Sequence, residues 1–254
     1  MKKWINKITT HTIMVIVLTV GIIVNGYGQE SERENVITEL KAISERYRNV
    51  KNLSFDINYR YANDQQPGAF LDSLSGSFRI SGKNYWYVLD NTEAIGDSQY
   101  LIMLFKEDKI MYLTRPSSLT LMQNPLLLID SYLVSKPDIK YSISSQKKEK
   151  KISLDFGDNG KYRRIEYNID QASGFMTKMT CVVRASEMYD ESVKSQVEDG
   201  SVYVQVEAVF KNYRENAFSE GLFNTAKYFK KDGEEYIALP PYETYKVFLG
   251  TNTL

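Results

Sequence analysis

The sequence predicts an α+β fold that is mostly β, built on a single curved antiparallel sheet with helices on one side. Three observations support this prediction. An amphipathic helical repeat near the N-terminus gives way to alternating apolar and polar residues, strand-like segments recur at hairpin distances, and no strand-helix-strand alternation occurs. A parallel sheet is therefore not expected, and the helices, with one apolar stripe each, are expected to cover one face of the sheet.

The chain begins with the pattern of a secretory signal peptide. Three lysines within the first seven residues precede an apolar run over 13–24, and the small residues of Gly26-Tyr27-Gly28 follow it. We predict a signal peptide over 1–28, a periplasmic mature protein, and a single β-rich domain over 29–254. The run is shorter than the roughly 20 apolar residues that span a bilayer, so an uncleaved anchor is the less favoured alternative.

Removal of the leader would restrict the available chemistry. His11, the only histidine, lies inside the leader, and Cys181 is the only cysteine. The mature chain would therefore lack the Ser-His-Asp and Cys-His systems and the usual zinc ligands. The sequence predicts no enzyme, no catalytic residue, no metal and no cofactor. Apolar neighbours favour burial of Cys181.

The charge balance argues against nucleic acid as a partner. The full chain carries 32 basic and 32 acidic side chains. Loss of the three leader lysines leaves 29 basic side chains against 32 acidic ones, whereas nucleic-acid binding requires a clustered positive field. The nineteen tyrosines are typical of a sheet with one solvent-exposed face or of the wall of an amphipathic cavity.

The first elements follow from one change in the hydrophobic period, from helical spacing to alternation. A capping box at Ser31-Glu32-Arg33-Glu34 precedes a helix predicted over 32–48, whose apolar stripe is Val36, Leu40, Ile43 and Tyr47. The period becomes two over 53–61, which indicates a strand with one apolar face. A second strand runs through 74–80. A third, over 85–89, is apolar on both faces and is expected to be covered on both sides.

The remaining elements are predicted mainly as hairpins. Asn124-Pro125 is expected to begin a short mid-chain helix that ends before Pro137. The polar, acidic segment over 186–200 is predicted to be a loop. Strands are predicted over 99–105, 109–114, 139–143, 152–156, 162–169, 175–184 and 202–213.

Apolar residues on successive strands are the candidate ligand-binding residues: Phe55, Ile57, Phe78, Ile80, Trp86, Val88, Met103 and Phe105. If they share one face of the sheet, they line an apolar trough beneath the helices. The alternative is an ordinary packed core, which is the more common outcome of such stripes.

Two charged groupings accompany these stripes. Paired carboxylates, such as Asp155 with Asp158 and Glu234 with Glu235, stand at turn signals, which favours solvated turn residues over a glycosidase pair. The basic segment 147–151, with Arg163-Arg164, indicates either a charged strand edge or a docking patch for an acidic partner or anionic lipid head groups.

The layout resembles the periplasmic lipoprotein-carrier superfamily, the LolA/LolB-like fold. The resemblance is carried by the leader, the helix end at 47–52, the alternating strand over 53–61, Ser75-Gly76-Ser77-Phe78-Arg79, and the turn over 170–174 that leads into Phe175. It implies an unclosed half-barrel whose apolar cavity holds acyl chains without catalysis.

The leading hypothesis is therefore an exported, non-enzymatic protein that binds a lipid or a lipoprotein acyl chain. A protein-interaction subunit of a bacterial envelope assembly is the alternative. A carboxylate-based glycan-processing enzyme comes third.

Overall fold

The computed structural model describes residues 30–116, 139–158, 160–188, 203–219 and 221–250. Within these ranges one α-helix, α1, covers 30–49, so the predicted helix over 32–48 is confirmed. The strands are β1 (Asn52–Asn63), β2 (Phe70–Ser81), β3 (Asn84–Leu89), β4 (Thr92–Gly96), β5 (Leu101–Phe105), β6 (Ile110–Thr114), β7 (Lys140–Gln146), β8 (Glu149–Asp155), β9 (Tyr162–Asp170), β10 (Met176–Arg184), β11 (Tyr203–Arg214), β12 (Phe229–Asp232), β13 (Glu235–Ala238) and β14 (Lys246–Leu249).

Several predicted features lie outside the described residues. They are the leader over 1–28, the short helix expected to begin at Asn124-Pro125, and most of the acidic loop over 186–200. The first residues of that loop belong to a short 3₁₀ turn, Ala185–Met188.

Twelve of the described strands form one curved, unclosed sheet, as the sequence predicts. Their order is β14-β6-β5-β4-β3-β2-β1-β11-β10-β9-β8-β7. Each pair is antiparallel except β14 with β6, which is parallel. β12 and β13 form a separate two-stranded hairpin. The predicted mostly-β α+β class is confirmed, and the parallel addition of β14 is a difference from the purely antiparallel sheet expected.

Helix α1 packs on the half of the sheet formed by β1 and β7 to β11. Its stripe of Val36, Leu40, Ile43 and Tyr47 is buried in one apolar cluster with residues of those strands, including Phe55, Tyr167 and Phe210. We call the face in contact with α1 the inner face of the sheet. Burial of these side chains, each contributing about 1.5–3 kcal/mol, fixes the helix against this half.

The chain after residue 221 covers the other half of the sheet on its opposite, outer face. Phe229 and Ala238 pack there with Ile95, Ile102, Leu104, Met111 and Leu113, which are fully buried. The two coverings therefore lie on opposite faces and on different halves. The inner face of β2 to β6 is left without α1, and this arrangement positions the candidate site.

Cys181 lies on the inner face and is buried, as predicted. Burial raises the pKa of its thiol to about 12. Because the thiolate is the reactive form, the native thiol is expected to resist a disulfide reagent such as DTNB at about pH 8. It should react fully once the chain is unfolded in guanidinium chloride. Rapid reaction of one thiol per native chain would contradict this burial.

Gly76 permits close approach of β2 and β3. A methyl group at this position would lie 2.2 Å from the carbonyl oxygen of Val88, a backbone atom that no rotamer change can move. We expect Gly76→Ala to lower the free energy of unfolding by about 1–3 kcal/mol. Gly68→Ala is the matched control, since no atom lies within 4 Å of the position that its methyl group would occupy. Equal urea midpoints for the two variants would refute the close approach.

Candidate functional site

The candidate site is the inner face of β2 to β5, beyond the strands that α1 covers. Cross-strand pairing fixes which side chains share this face. Phe78 lies opposite Tyr87, Tyr87 opposite Ala94, and Ala94 opposite Met103. The neighbouring rows place Ile80, Leu89, Leu101 and Phe105 on the same face. Because paired residues of an antiparallel sheet point to the same side, these rows form one continuous surface.

We call six members of this surface the apolar wall: Phe78, Ile80, Leu89, Leu101, Met103 and Phe105. Each is half-buried, and none carries a charge. Tyr85, Tyr87 and Ala94 are buried among them. These side chains retain accessible apolar area, and three of them, Phe78, Ile80 and Leu89, also pack against the cluster beneath α1.

A row of aromatic rings connects the wall to the core beneath α1. Phe55 on β1 stacks on Phe78 with ring centroids 5.2 Å apart, and Phe78 stacks on Tyr87 at 5.1 Å. On the other side Phe55 contacts Tyr213 at 5.3 Å, and Tyr213 stacks on Phe175 at 4.5 Å. The wall is thus supported by a rigid aromatic base, which is the kind of support that a binding surface requires.

The tyrosine hydroxyls near the wall are neutral. Burial raises the pKa values of Tyr85 and Tyr87 above the ordinary value for tyrosine. The hydroxyl of Tyr85 is buried and has no hydrogen-bond partner among the described residues. The surface therefore offers apolar contact and no fixed charge. This favours uncharged ligand groups over ionised ones.

Six of the eight predicted site residues lie on the inner face. Phe55 and Ile57 are buried in the cluster beneath α1. Phe78, Ile80, Met103 and Phe105 belong to the apolar wall. Trp86 and Val88 lie on the outer face instead, opposite Arg79 and Ser77. They do not share the surface that the other six residues occupy.

The contacts of Trp86 on the outer face are those of a residue that stabilises the fold. Its indole nitrogen donates a hydrogen bond to Glu93 over 2.8 Å, and the Arg79 guanidinium lies 4.5 Å from its ring centroid. The ring also packs against the outer cluster beneath the C-terminal segment. Strand β3 is apolar on both faces, so alternation alone could not show which face each residue occupies.

Leu89 and Leu101 are wall residues that the sequence reasoning missed. The two-residue turn Gly82-Lys83 contains the information that puts Leu89 on the inner face, because the turn fixes the register of β2 and β3. That turn pairs Ser81 with Asn84 and so places Ile80 opposite Tyr85. Counting outward from this pair puts Tyr85, Tyr87 and Leu89 on the inner face.

The charged groupings have local partners. Lys150 pairs with Glu39 of α1 at 2.6 Å, Lys151 pairs with Glu166 at 2.9 Å, and Arg163 pairs with Asp158 at 2.7 Å. Lys150, Lys151 and Arg163 are therefore each paired with a carboxylate. Asp155 accepts a hydrogen bond from the Gly157 amide over 2.9 Å, which is the turn role expected of it.

The described residues show neither a metal-binding cluster nor a membrane-spanning helix. Among them no group of three or more His, Cys, Asp or Glu side chains could hold a metal ion. Within the same ranges no helix combines the length and the apolar character needed to cross a bilayer.

Comparisons with known proteins give structural similarity only. No protein-family model matches this sequence, and no curated protein matches it significantly. The similar solved structures include an uncharacterized conserved protein from Thermus thermophilus, at 7% identity and a TM-score of 0.43, covering 84% of this chain and 98% of that one. Another is a LolA superfamily protein from Nitrosomonas europaea, at 10% identity and a TM-score of 0.32, covering 73% and 97%. A third is the MucA/MucB complex of Pseudomonas aeruginosa, at 15% identity and a TM-score of 0.40, covering 81% and 63%.

The superfamily that the sequence layout resembles is thus represented among the similar structures. At these identities and TM-scores the likeness carries no information about a ligand or a partner.

Proposed function

We propose that this protein is an exported, non-enzymatic binding protein that holds a lipid or a lipoprotein acyl chain on the inner face of its sheet. One observation carries the proposal. The apolar wall is a continuous, uncharged and half-buried surface on the face that α1 leaves uncovered at β2 to β5. Removal of a leader over 1–28 would place the mature protein in the periplasm.

The energetics suit a long unbranched chain. Each methylene buried against the wall contributes about 0.8 kcal/mol, so about ten methylenes contribute about 8 kcal/mol. Association costs at least about 4 kcal/mol of lost freedom, and a short ligand would not offset it. Because the six wall residues carry no charge, we expect an ionised head group to remain at the edge of the wall, in contact with water.

Native mass spectrometry tests this proposal. The protein would be produced from the full chain, collected from the periplasm, delipidated and then mixed with palmitate or with a phosphatidylethanolamine. We expect bound lipid in the initial sample and its return on addition of either compound. A bare protein mass in both samples, with the native circular dichroism spectrum retained, would overturn the proposal and leave the wall as ordinary core.

A further inference from the structure

The outer edge of β14 has no partner among the described strands and is distant in the sheet order from the strands that α1 covers. β14 is the last strand of the sheet on its side and pairs only with β6 among the described strands. The amide of Lys246 donates to the Lys109 carbonyl and the amide of Gly250 donates to the Leu113 carbonyl, both over 2.9 Å. Alternate residues of a strand point their backbone groups to opposite sides. The N–H and C=O groups of Val247 and Leu249 therefore point away from β6.

A cleft of about 450 Å³ lies between this edge and the β12–β13 hairpin. Its apolar lining includes Tyr236, Ile237, Tyr245, Val247 and Leu249. Five large apolar side chains are exposed in the described part of the chain, and three of them are Ile237, Phe248 and Leu249. Ile237 and Leu249 line the cleft, whereas Phe248 lies opposite Tyr112 and so belongs to the inner face. Exposed apolar area beside a strand edge that has no partner among the described strands is a feature that monomeric proteins usually avoid.

The charges of the cleft are of one sign. Glu234, Glu235 and Glu243 belong to its lining, which contains no lysine or arginine among the described residues. A partner with positively charged side chains would complement these carboxylates, whereas an acidic partner would be repelled.

The geometry points to the β14 edge as a docking site for an extended basic segment of a partner protein. The segment would add to the sheet as a strand beside β14, with its backbone bonded to Val247 and Leu249. On the face of the segment turned towards the cleft, apolar side chains would enter it and lysine or arginine side chains on that same face would approach the three glutamates. This site is separate from the proposed lipid surface, and its occupancy does not depend on lipid binding.

Fluorescence anisotropy with short labelled peptides tests the inference. The probe is a peptide of about ten residues with valine and lysine on one face of the strand and serine at the alternate positions, compared with the same peptide carrying glutamate in place of lysine and with the lysine peptide N-methylated at the amides expected to face β14. We expect measurable binding of the first peptide alone, weakened by raising the salt concentration from about 0.05 to about 0.5 M. Equal binding of the glutamate peptide or of the N-methylated peptide would overturn the proposal.

Variants of the full chain locate the site. Val247→Pro removes an outward amide without removing a bond to β6, and Glu235→Lys with Glu243→Lys reverses the rim charge. Each change is expected to weaken peptide binding at least about tenfold. Glu34→Lys with Glu45→Lys, at two exposed positions of α1, is the charge-matched control and should have no effect. Unchanged binding in both cleft variants would refute the assignment.

Sedimentation velocity of the same proteins tests whether a second copy of this chain, and not a basic peptide, occupies the edge. If the chain forms a dimer that Val247→Pro abolishes, a second copy occupies the edge and the basic-peptide proposal is wrong. A monomer at the concentrations used for anisotropy is the expected result.

Discussion

Replacement of Phe55 with alanine is expected to lower the free energy of unfolding by about 3–5 kcal/mol, the usual cost of removing a buried phenylalanine ring. The ring is 7% exposed and contacts aromatic side chains on both sides, at 5.2 Å from Phe78 and 5.9 Å from Phe210. Its loss would leave a cavity where the cluster beneath α1 meets the apolar wall. Urea unfolding followed by circular dichroism measures the change.

Two variants serve as controls for this result. Phe55→Leu keeps most of the volume and should cost less than half as much as the alanine variant. Phe70→Ala removes a ring that is 45% exposed and should cost below about 1 kcal/mol. If Phe55→Ala were no more destabilising than Phe70→Ala, the aromatic row would not be the base of the wall.

Replacement of Met103 with glutamate is expected to weaken palmitate binding by at least about tenfold. Met103 lies near the centre of the wall, and the six wall residues offer no cation to pair with a new carboxylate. An acyl chain laid over this position would desolvate the charge, and a penalty of only about 1.4 kcal/mol already corresponds to tenfold in affinity. Titration followed by native mass spectrometry or calorimetry measures the change.

The controls separate binding from folding. Met103→Leu keeps the volume and the apolar character of the side chain and should bind palmitate within about threefold of the parent. Leu71→Glu places the same charge on a leucine that is 75% exposed on β2 and should leave binding unchanged. Equal affinity of Met103→Glu and Leu71→Glu, with both variants folded, would remove the wall from the binding surface.

Local signals were sufficient to predict most of the sheet. The alternation over 53–61 gave the face of β1 correctly, and short polar turns between apolar segments gave the hairpins of β7 to β10. β4 was missed because its five residues include only two apolar ones of any size, Ala94 and Ile95, between polar neighbours. Cross-strand pairing with β3 and β5 stabilises this segment, and such long-range support leaves little trace in the local pattern.

The C-terminal segment was the least predictable part of the fold. Val247 to Leu249 pair in parallel with β6, more than a hundred residues earlier in the chain. A short apolar stretch can pair with many edges, and nothing in its own sequence selects one. The chain passes close to β6 here: a methyl group added at Gly250 would lie 2.3 Å from the Tyr112 hydroxyl oxygen.

In the candidate site, too, local patterns predict some positions and long-range contacts determine the others. Phe78 and Ile80 share the inner face, and the sequence indicates this because β2 has polar residues between its apolar ones. Trp86 and Val88 were misplaced because β3 has none, and the covering of its outer face by the C-terminal segment depends on tertiary contacts. Periodicity identifies a face only where the two faces differ in polarity.

Photo-crosslinking with a diazirine-bearing fatty acid is the most direct test of lipid binding on the inner face. The delipidated protein would be irradiated with the probe and digested, and the labelled peptides would be identified by mass spectrometry. We expect labels on β2, β3 and β5, at Phe78, Leu89, Leu101 or Met103, which excess unlabelled palmitate suppresses. Labels confined to the outer face or to 221–250, or labels that palmitate does not suppress, would contradict lipid binding at the apolar wall.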